Sequence, residues 1–277
     1  MDVKALIFDI DGTLFTSQGV MNNATFNALL ACKRDGLILC MATARSGRIV
    51  FRDHEIPGDK NLLLECGIFY NGATVYDQIH HFYQHTPLSG ALVHEIVDAI
   101  HHYDDGLQIA LQHDDIYHAF KYPMPAQELA NWGFSGAEIH DFDVSKRKPV
   151  TKIMVFRGTS WQDIAEDMSG LYTVLMSVFS TQANIILADS KKSIYIVSKH
   201  ASKGNAISKL ISLYDIQPQE VAVFGDDTPD IGMFGLFGHS IAMGNAHAAL
   251  RAISTYVTLT NDQDGVVYAL KNYLKVL

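Results

Sequence analysis

The first third of the chain alternates short apolar runs with amphipathic segments. ALIF at positions 5–8 and LILCMAT at 37–43 are continuous apolar runs, which are typical of parallel strands buried on both faces. Between them, Phe26, Leu29 and Leu30 share one face of a predicted helix. This order of strand, helix and strand predicts right-handed crossovers and a doubly wound parallel sheet.

Three further elements complete this first block. The sequence predicts a helix over 48–53 and short strands at 62–64 and 68–70. The Asn71-Gly72 pair that follows is a strong signal for a hairpin turn, because both residue types tolerate positive φ.

The pattern changes near residue 85. An amphipathic helix is followed by two strands, LQIALQ and IYHAFKY, which predict an antiparallel hairpin, and then by KIMVFR, a helix around 161–168, YTVLMSVFS and ANIILAD. The parallel-sheet pattern returns with IYIV after Ser193 and continues through VAVFGDD and HSIAMGN. The predicted fold is therefore α/β: a doubly wound, Rossmann-like core formed by 1–84 and 189–277, with a smaller α+β domain inserted at 85–188.

Composition and charge narrow the classes of function. The 277 residues are 48% hydrophobic and 18% charged, enough to bury a sizeable core. With 21 Lys and Arg against 30 Asp and Glu, the net charge is −9 and no basic stripe is present, so we expect no nucleic-acid partner. No apolar run reaches the 18 or so residues of a membrane span, so we expect no membrane partner.

Cysteine usage indicates the compartment. The three cysteines, Cys32, Cys40 and Cys66, show no CxxC spacing and lie in apolar or helical segments. They are predicted to be reduced thiols, and with no signal-peptide pattern at the start of the chain the expected location is cytoplasmic. The sequence leaves open whether the protein is a monomer or a homodimer.

Acidic residues follow the predicted strands of the core. Asp9 and Asp11 end the first strand one residue apart, so their side chains share a face, and such a pair is costly to bury without a cation. Thr43 ends the second strand, and the strand VAVF leads into GDDTPD, which contains Asp226 and Asp230. The carboxyl ends of parallel strands form the ligand edge of such a sheet, and hard oxygen ligands of this kind suit Mg²⁺.

A lysine at a helix start adds a second signal. Lys203 follows Ser202, the predicted N-cap of the helix SKGNAISKL. The helix dipole disfavours a cation at that end, so a lysine there is expected to meet an anion such as phosphate.

Four ordered motifs, DIDGT, ATAR, SKG and GDDTPD, resemble those of the haloacid dehalogenase-like (HAD) hydrolase superfamily. NGATVY, AMGNA and DQDGV, together with the large insertion, resemble its Cof-type subfamily (IIB), in which the inserted domain is an α/β cap. The resemblance implies a Mg²⁺-dependent phosphatase of small phosphate esters, such as a sugar phosphate, flavin mononucleotide or pyridoxal phosphate. It also implies an aspartyl-phosphate intermediate and a cap that reads the non-phosphate part of the substrate.

The same resemblance implies a role for each acidic residue. Asp9 would be the nucleophile, and Asp11 would be the general acid and then the general base. Asp9 and Asp226 would bind Mg²⁺ through their side chains and Asp11 through its carbonyl. Asp230 would contribute through a water or from outside the inner ligands.

The remaining roles concern the phosphate and the substrate. Thr43, the backbone of Ala44 and Lys203 would bind phosphate oxygens. Three further residues are candidates on the substrate side, namely Asn71, Asp227 and Arg45. The chain departs from the family pattern at Ala44, where glycine is usual, and at Pro229, where asparagine is usual. These departures make the phosphate contact at Ala44 and the polarity near Pro229 open questions.

Two other classes of function remain open at this stage. A phosphomutase or phosphotransferase would use the same motifs and pass the phosphoryl group to a second alcohol. A non-catalytic module that binds phosphate or accepts it on an aspartate would also need the acidic residues and the lysine, but the inserted domain disfavours a receiver-like module.

Overall fold

The computed structural model describes residues 2–47, 56–57, 65–113, 117–132, 134, 138–160 and 166–277. The predicted helix over 48–53, the predicted strand at 62–64 and most of the predicted helix around 161–168 lie outside these residues. So does most of the predicted hairpin loop at 113–115.

The described residues form strands and α-helices along the whole length of the chain. The strands are β1 Ala5–Phe8, β2 Ile38–Ala42, β3 Cys66–Phe69, β4 Thr74–Asp77, β5 Phe82–His85, β6 Leu107–Gln112, β7 His118–Phe120, β8 Lys152–Arg157, β9 Ala183–Ala188, β10 Ser193–Ser198, β11 Val221–Gly225, β12 His239–Ala242 and β13 Tyr256–Val257. The α-helices are Asn23–Arg34, Gly90–Tyr103, Ala126–Asn131, Phe142–Ser145, Ser169–Phe179, Lys203–Ser212, Ala248–Ile253 and Gly265–Ala269. Among the residues that the structure describes, every helix is too short or too polar to span a bilayer.

The chain divides into two compact units, one formed by Met1–Gln84 with Ser202–Leu277 and the other by His85–Ala201. The first unit contains an eight-stranded sheet in the order β13-β12-β11-β1-β2-β3-β4-β5. β1 lies between β11 and β2 and is parallel to both, and β12 and β3 extend the parallel part on either side. The carboxyl ends of β1, β2 and β11 therefore lie at the same edge of the sheet. β4 pairs antiparallel with β3 toward one end.

The central strands of this sheet are apolar and buried along their whole length. The residues of β1 are at most 1% exposed, and those of β11 are fully buried as well. The helix Asn23–Arg34 buries Phe26 and Leu29, the face that the sequence predicts, and it begins after Asn22, whose side chain accepts a hydrogen bond from the N–H of Thr25.

The second unit contains a five-stranded sheet in the order β7-β6-β8-β10-β9, in which neighbouring strands are antiparallel. Two helices, Gly90–Tyr103 and Ser169–Phe179, contribute Ile96 and Leu175 to its buried core. The segment YTVLMSVFS, which the sequence left without a defined element, belongs to the second of these helices. The hairpin predicted from LQIALQ and IYHAFKY corresponds to β6 and β7.

The second domain boundary differs from the predicted one at 188/189. The structure divides the chain between Ala201 and Ser202 because β10 belongs to the antiparallel sheet, where it pairs with β8 and β9. All six residues of β10 are buried, so its sequence lacks the period-two alternation that distinguishes an antiparallel strand from a parallel one.

Candidate active site

Asp9 is the residue immediately after β1 at the carboxyl edge of the parallel strands. Its N–H donates to the carbonyl of Phe224 on β11 at 3.0 Å, which continues the pairing of the two strands up to the site. Gly12 follows with φ +74°, and a Cβ built there would lie 2.2 Å from Asp226 Oδ2. The backbone at Gly12 therefore approaches Asp226 as closely as only glycine permits.

Lys203 is the first residue of the helix Lys203–Ser212, and Ser202 caps that helix through its side chain, which accepts from Asn205 N. The Lys203 side chain is almost fully buried, with its Nζ 2.5 Å from Asp9 Oδ1 and 2.6 Å from Asp230 Oδ1. Two carboxylates thus compensate the positive charge of Lys203 at the positive end of its helix. The sequence predicted that this lysine would meet an anion.

The turn after β11 places Asp226 and Asp230. Asp230 Oδ2 accepts from the N–H groups of Asp226, at 3.0 Å, and Asp227, at 3.2 Å. The hydroxyl of Thr13 donates to Asp226 Oδ1 at 3.0 Å and joins the two halves of the site. This role of Thr13 was not predicted, although Thr13 is the last residue of the DIDGT motif, two positions after Asp11.

Asp9, Asp226 and Asp230 could hold a metal ion together. One carboxylate oxygen from each lies within 4.8 Å of the others. These three carboxylates face one ammonium group, so the fully ionised cluster carries two negative charges in excess, which one divalent cation would neutralise. The donor set is all oxygen, as Mg²⁺ prefers.

The pKa values at the site reflect this excess of negative charge. Burial raises the pKa of Asp9 well above its usual range, and the opposing effect of Lys203 does not cancel it. Burial and, after it, the charge of Asp230 raise the pKa of Asp226 to about 7. Burial lowers the pKa of Lys203, but Asp230 and Asp9 outweigh this effect, and the pKa is raised overall. At neutral pH and without a bound metal ion, the folded protein therefore retains protons on carboxylates that are already deprotonated in the unfolded chain.

Asp11 lies outside this cluster and is held by Arg45. The guanidinium forms two hydrogen bonds with it, from Nη2 to Oδ1 at 2.7 Å and from Nε to Oδ2 at 2.9 Å. Arg45 also lies over the ring of Phe15, with Cζ 5.3 Å from the ring centroid. The Arg45 N–H donates to Thr43 Oγ1 at 3.1 Å, so Arg45 connects Thr43 to Asp11.

The other candidates from the sequence take different positions. Asp227 is exposed, and its side chain accepts from Thr228 N and so caps the turn Thr228–Asp230, in which Pro229 is accommodated. Ala44 does not adopt positive φ, so the alanine found where glycine is usual costs no backbone strain. Asn71 donates its N–H to the carbonyl of Thr43 at 3.0 Å.

Asn245 connects the start of the site to the loop after β13. Its Nδ2 donates to Gly12 O at 2.8 Å and its Oδ1 accepts from Asn261 N at 3.0 Å. The AMGNA motif therefore supports the turn that carries Gly12, a role that the sequence alone did not reveal.

The chain is similar to several known proteins over almost its whole length. The sequence profile of the haloacid dehalogenase-like hydrolase family matches residues 6–270. The phosphatase YwpJ of Bacillus subtilis (strain 168) is 26% identical over 98% of this chain and 100% of its own. The 5-amino-6-(5-phospho-D-ribitylamino)uracil phosphatase YwtE of the same organism is 25% identical over 98% of both. The solved structure of the HAD subclass IIB sugar phosphatase BT4131 has a TM-score of 0.81 at 23% identity, over 99% of this chain and 100% of that one.

The chain belongs to the haloacid dehalogenase-like hydrolase family. The predicted fold class is confirmed: a Rossmann-like core with a mostly parallel sheet, and a separate unit with an antiparallel sheet. The predicted enzyme class is confirmed with it, because the family model matches almost the whole chain and relatives that match it over 98% of its length, YwpJ and YwtE, are named phosphatases.

Proposed function

We propose that this protein is a Mg²⁺-dependent phosphatase that hydrolyses small phosphorylated metabolites through an aspartyl-phosphate intermediate on Asp9. The observation that supports this function is the convergence of Asp9, Lys203, Asp226 and Asp230, which come from three separate segments of the chain. A strand end, a helix start and a turn after another strand together supply a nucleophile, a cation for phosphate and oxygen ligands for a metal.

Asp9 would attack the phosphorus of the ester. A bond from a carboxylate oxygen of Asp9 to phosphorus forms as the bond from phosphorus to the ester oxygen breaks, and Asp11 gives a proton to the departing alcohol. Asp11 then takes a proton from the water that attacks the aspartyl phosphate, which releases inorganic phosphate and restores Asp9. Arg45 holds the Asp11 carboxylate at two points in the present arrangement.

Lys203 would supply a positive charge beside the phosphoryl group, and the hydroxyl of Thr43 and the backbone N–H of Ala44 would supply neutral hydrogen-bond donors. Asp9 and Asp226 would hold Mg²⁺ by their side chains and Asp11 by its carbonyl, with Asp230 acting through a water. The bound ion would neutralise the charge of the nucleophile and the phosphate, so that the two anions can approach each other.

The class of substrate is proposed from the relatives. YwtE is named for a ribitylaminouracil phosphate and BT4131 for sugar phosphates, and both of these substrates are phosphate monoesters of small, hydroxyl-bearing molecules. We propose that the substrate of this chain belongs to that class.

Turnover of p-nitrophenyl phosphate tests the proposed function. We expect phosphate release in millimolar Mg²⁺ to fall by about 100-fold or more when the metal is chelated with EDTA, and to return when excess Mg²⁺ is added. Release that continues unchanged after chelation and dialysis would contradict the proposed metal requirement. No release from this ester or from a panel of sugar phosphates would contradict the phosphatase activity.

A pair of glycine variants relates the metal requirement to Asp226. Gly12→Ala should raise the Mg²⁺ concentration for half-maximal activity by about tenfold, because the new Cβ displaces Asp226 Oδ2. Gly19→Ala is the matched control, since Gly19 has nearly the same φ, +77°, and nothing lies within 4 Å of a Cβ built there. Equal metal requirements in the two variants would show that Asp226 does not bind the ion.

A further inference from the structure

The turn that follows β3 has an unusual backbone. Tyr70, Asn71 and Gly72 have φ values of +53°, +56° and +96°, so three consecutive residues are left-handed. This conformation costs free energy for any residue with a side chain, most of all for a buried aromatic residue such as Tyr70. Such strain persists where the surrounding structure enforces it, and here the surroundings are the candidate active site.

Two sets of contacts hold this turn between the proposed phosphate-binding residues. On one side, Tyr70 N donates to Arg45 O and Asn71 N donates to Thr43 O, both at 3.0 Å. On the other side, Gly72 packs against the start of the lysine helix, where a Cβ would lie 2.2 Å from Ser202 O and 2.8 Å from Lys203 N. Asn71 is thus positioned between Thr43 and Lys203.

The side chain of Asn71 is buried without a hydrogen bond. It is 3% exposed, and neither Oδ1 nor Nδ2 has a hydrogen-bond partner among the described residues. Burying an amide without hydrogen bonds is destabilising, because the amide loses its hydrogen bonds to water, unless a ligand supplies new partners.

A second left-handed turn in the chain shows that the buried amide is not a consequence of this backbone conformation. Asp189, Ser190 and Lys191 have φ values of +52°, +54° and +72°, and the middle residue, Ser190, is exposed to solvent. Water can therefore satisfy the side chain of Ser190, whereas the equivalent position in the first turn is buried beside Thr43.

We propose that the side-chain amide of Asn71 binds the phosphoryl group of the substrate, with Nδ2 donating to a phosphoryl oxygen beside Thr43 and Lys203. The inference rests on the proposed phosphatase function and adds a neutral donor to its charged groups. Oδ1 is then left for a hydroxyl donor, which the alcohol part of the ester or a water supplies. The left-handed turn positions this amide beside Thr43 and Lys203, and its hydrogen bonds to the ligand offset the free-energy cost of burying it.

Three variants test the inference in the full-length protein with Mg²⁺. Asn71→Gly removes the amide but keeps a residue that favours positive φ, and it should raise both the KM for p-nitrophenyl phosphate and the inhibition constant of inorganic phosphate by about tenfold. Asn71→Asp keeps the shape but places a negative charge near the phosphate, and it should raise both constants by about 100-fold. Ser190→Gly makes the same backbone change in the other turn and should leave both constants within about twofold of wild type.

The outcomes separate this inference from the function on which it rests. An Asn71→Gly variant with wild-type KM and wild-type inhibition by phosphate would overturn the inference while leaving the phosphatase intact. An inactive wild-type protein would instead refute the proposed function. Thermal unfolding of each variant identifies a folding defect, and if Asn71→Gly unfolds, the isosteric Asn71→Asp provides the same comparison.

Discussion

The Asp9→Asn variant is expected to release phosphate from p-nitrophenyl phosphate about 10⁴-fold more slowly than wild type, or more slowly still. The amide has almost the shape of the carboxylate but is not a nucleophile, and it cannot form an aspartyl phosphate. It also removes one negative ligand from the proposed metal site. Both losses act on the chemical step, so kcat should fall far more than KM rises.

The structure predicts that this variant folds, which makes the kinetic result interpretable. Lys203 keeps its ion pair with Asp230 at 2.6 Å when Asp9 is neutral, and burial already raises the pKa of Asp9. Asp215→Asn is the matched control, because Asp215 is exposed and its left-handed φ of +54° also suits asparagine. Turnover by Asp9→Asn at more than a few per cent of the control would contradict nucleophilic catalysis by this residue.

The Lys203→Met variant is expected to lose about 3–5 kcal/mol in its free energy of unfolding, measured by denaturant titration in EDTA. Met matches the length of the lysine side chain, so the loss comes from charge. Removing the ammonium group leaves Asp9 and Asp230 buried and facing each other without compensation. Phosphatase activity should be lost as well, because no cation then meets the transferring phosphoryl group.

A double-mutant cycle assigns this loss of stability to the ion pair. Asp230→Asn removes one of the two carboxylates, so Lys203→Met should cost about 1–3 kcal/mol less in that background than in wild type. Lys209→Met, on the same helix at an exposed position beside the ring of Phe82, should cost about 1 kcal/mol or less. Equal costs for the two lysines, with additive behaviour in the cycle, would contradict the role given to Lys203.

Strand order brings the acidic residues of the cluster close together in the structure. In a doubly wound sheet the carboxyl ends of β1 and β11 meet at one edge, so Asp9 and Asp226 come together whatever the details of their loops. Lys203 was recognisable because a cation at a helix start is unfavourable without an anion nearby. These expectations depend on topology and electrostatics, both of which can be inferred from a single sequence.

Other features depend on tertiary contacts that leave no local pattern. The bidentate pairing of Arg45 with Asp11 joins residues 34 positions apart, and the hydrogen bond from Thr13 to Asp226 spans 213 positions. The membership of β10 in the antiparallel sheet was missed because full burial on both faces removes its alternation. The burial of the Asn71 amide could not be predicted for a different reason, since Asn-Gly indicates a turn in any context, buried or exposed.

The two departures from the family pattern illustrate a further limit of the sequence. At Ala44 glycine is usual, but the backbone there needs no positive φ, so the substitution is conformationally neutral. Pro229 lies in a turn whose N-terminal end is closed by a capping box of Asp227 and Asp230. Whether a position requires positive φ or a polar side chain depends on the local backbone conformation, which the residue type alone does not specify.

A crystal structure of the protein grown with Mg²⁺ and beryllium fluoride is the most direct test of the central claim, which is that a divalent ion is bound beside a nucleophilic Asp9. We expect one Mg²⁺ at about 2.0–2.1 Å from carboxylate oxygens of both Asp9 and Asp226, with the fluoride complex bonded to the other oxygen of Asp9. Magnesium bound elsewhere, or Asp226 too far from Asp9 to share an ion with it, would rule out this metal site.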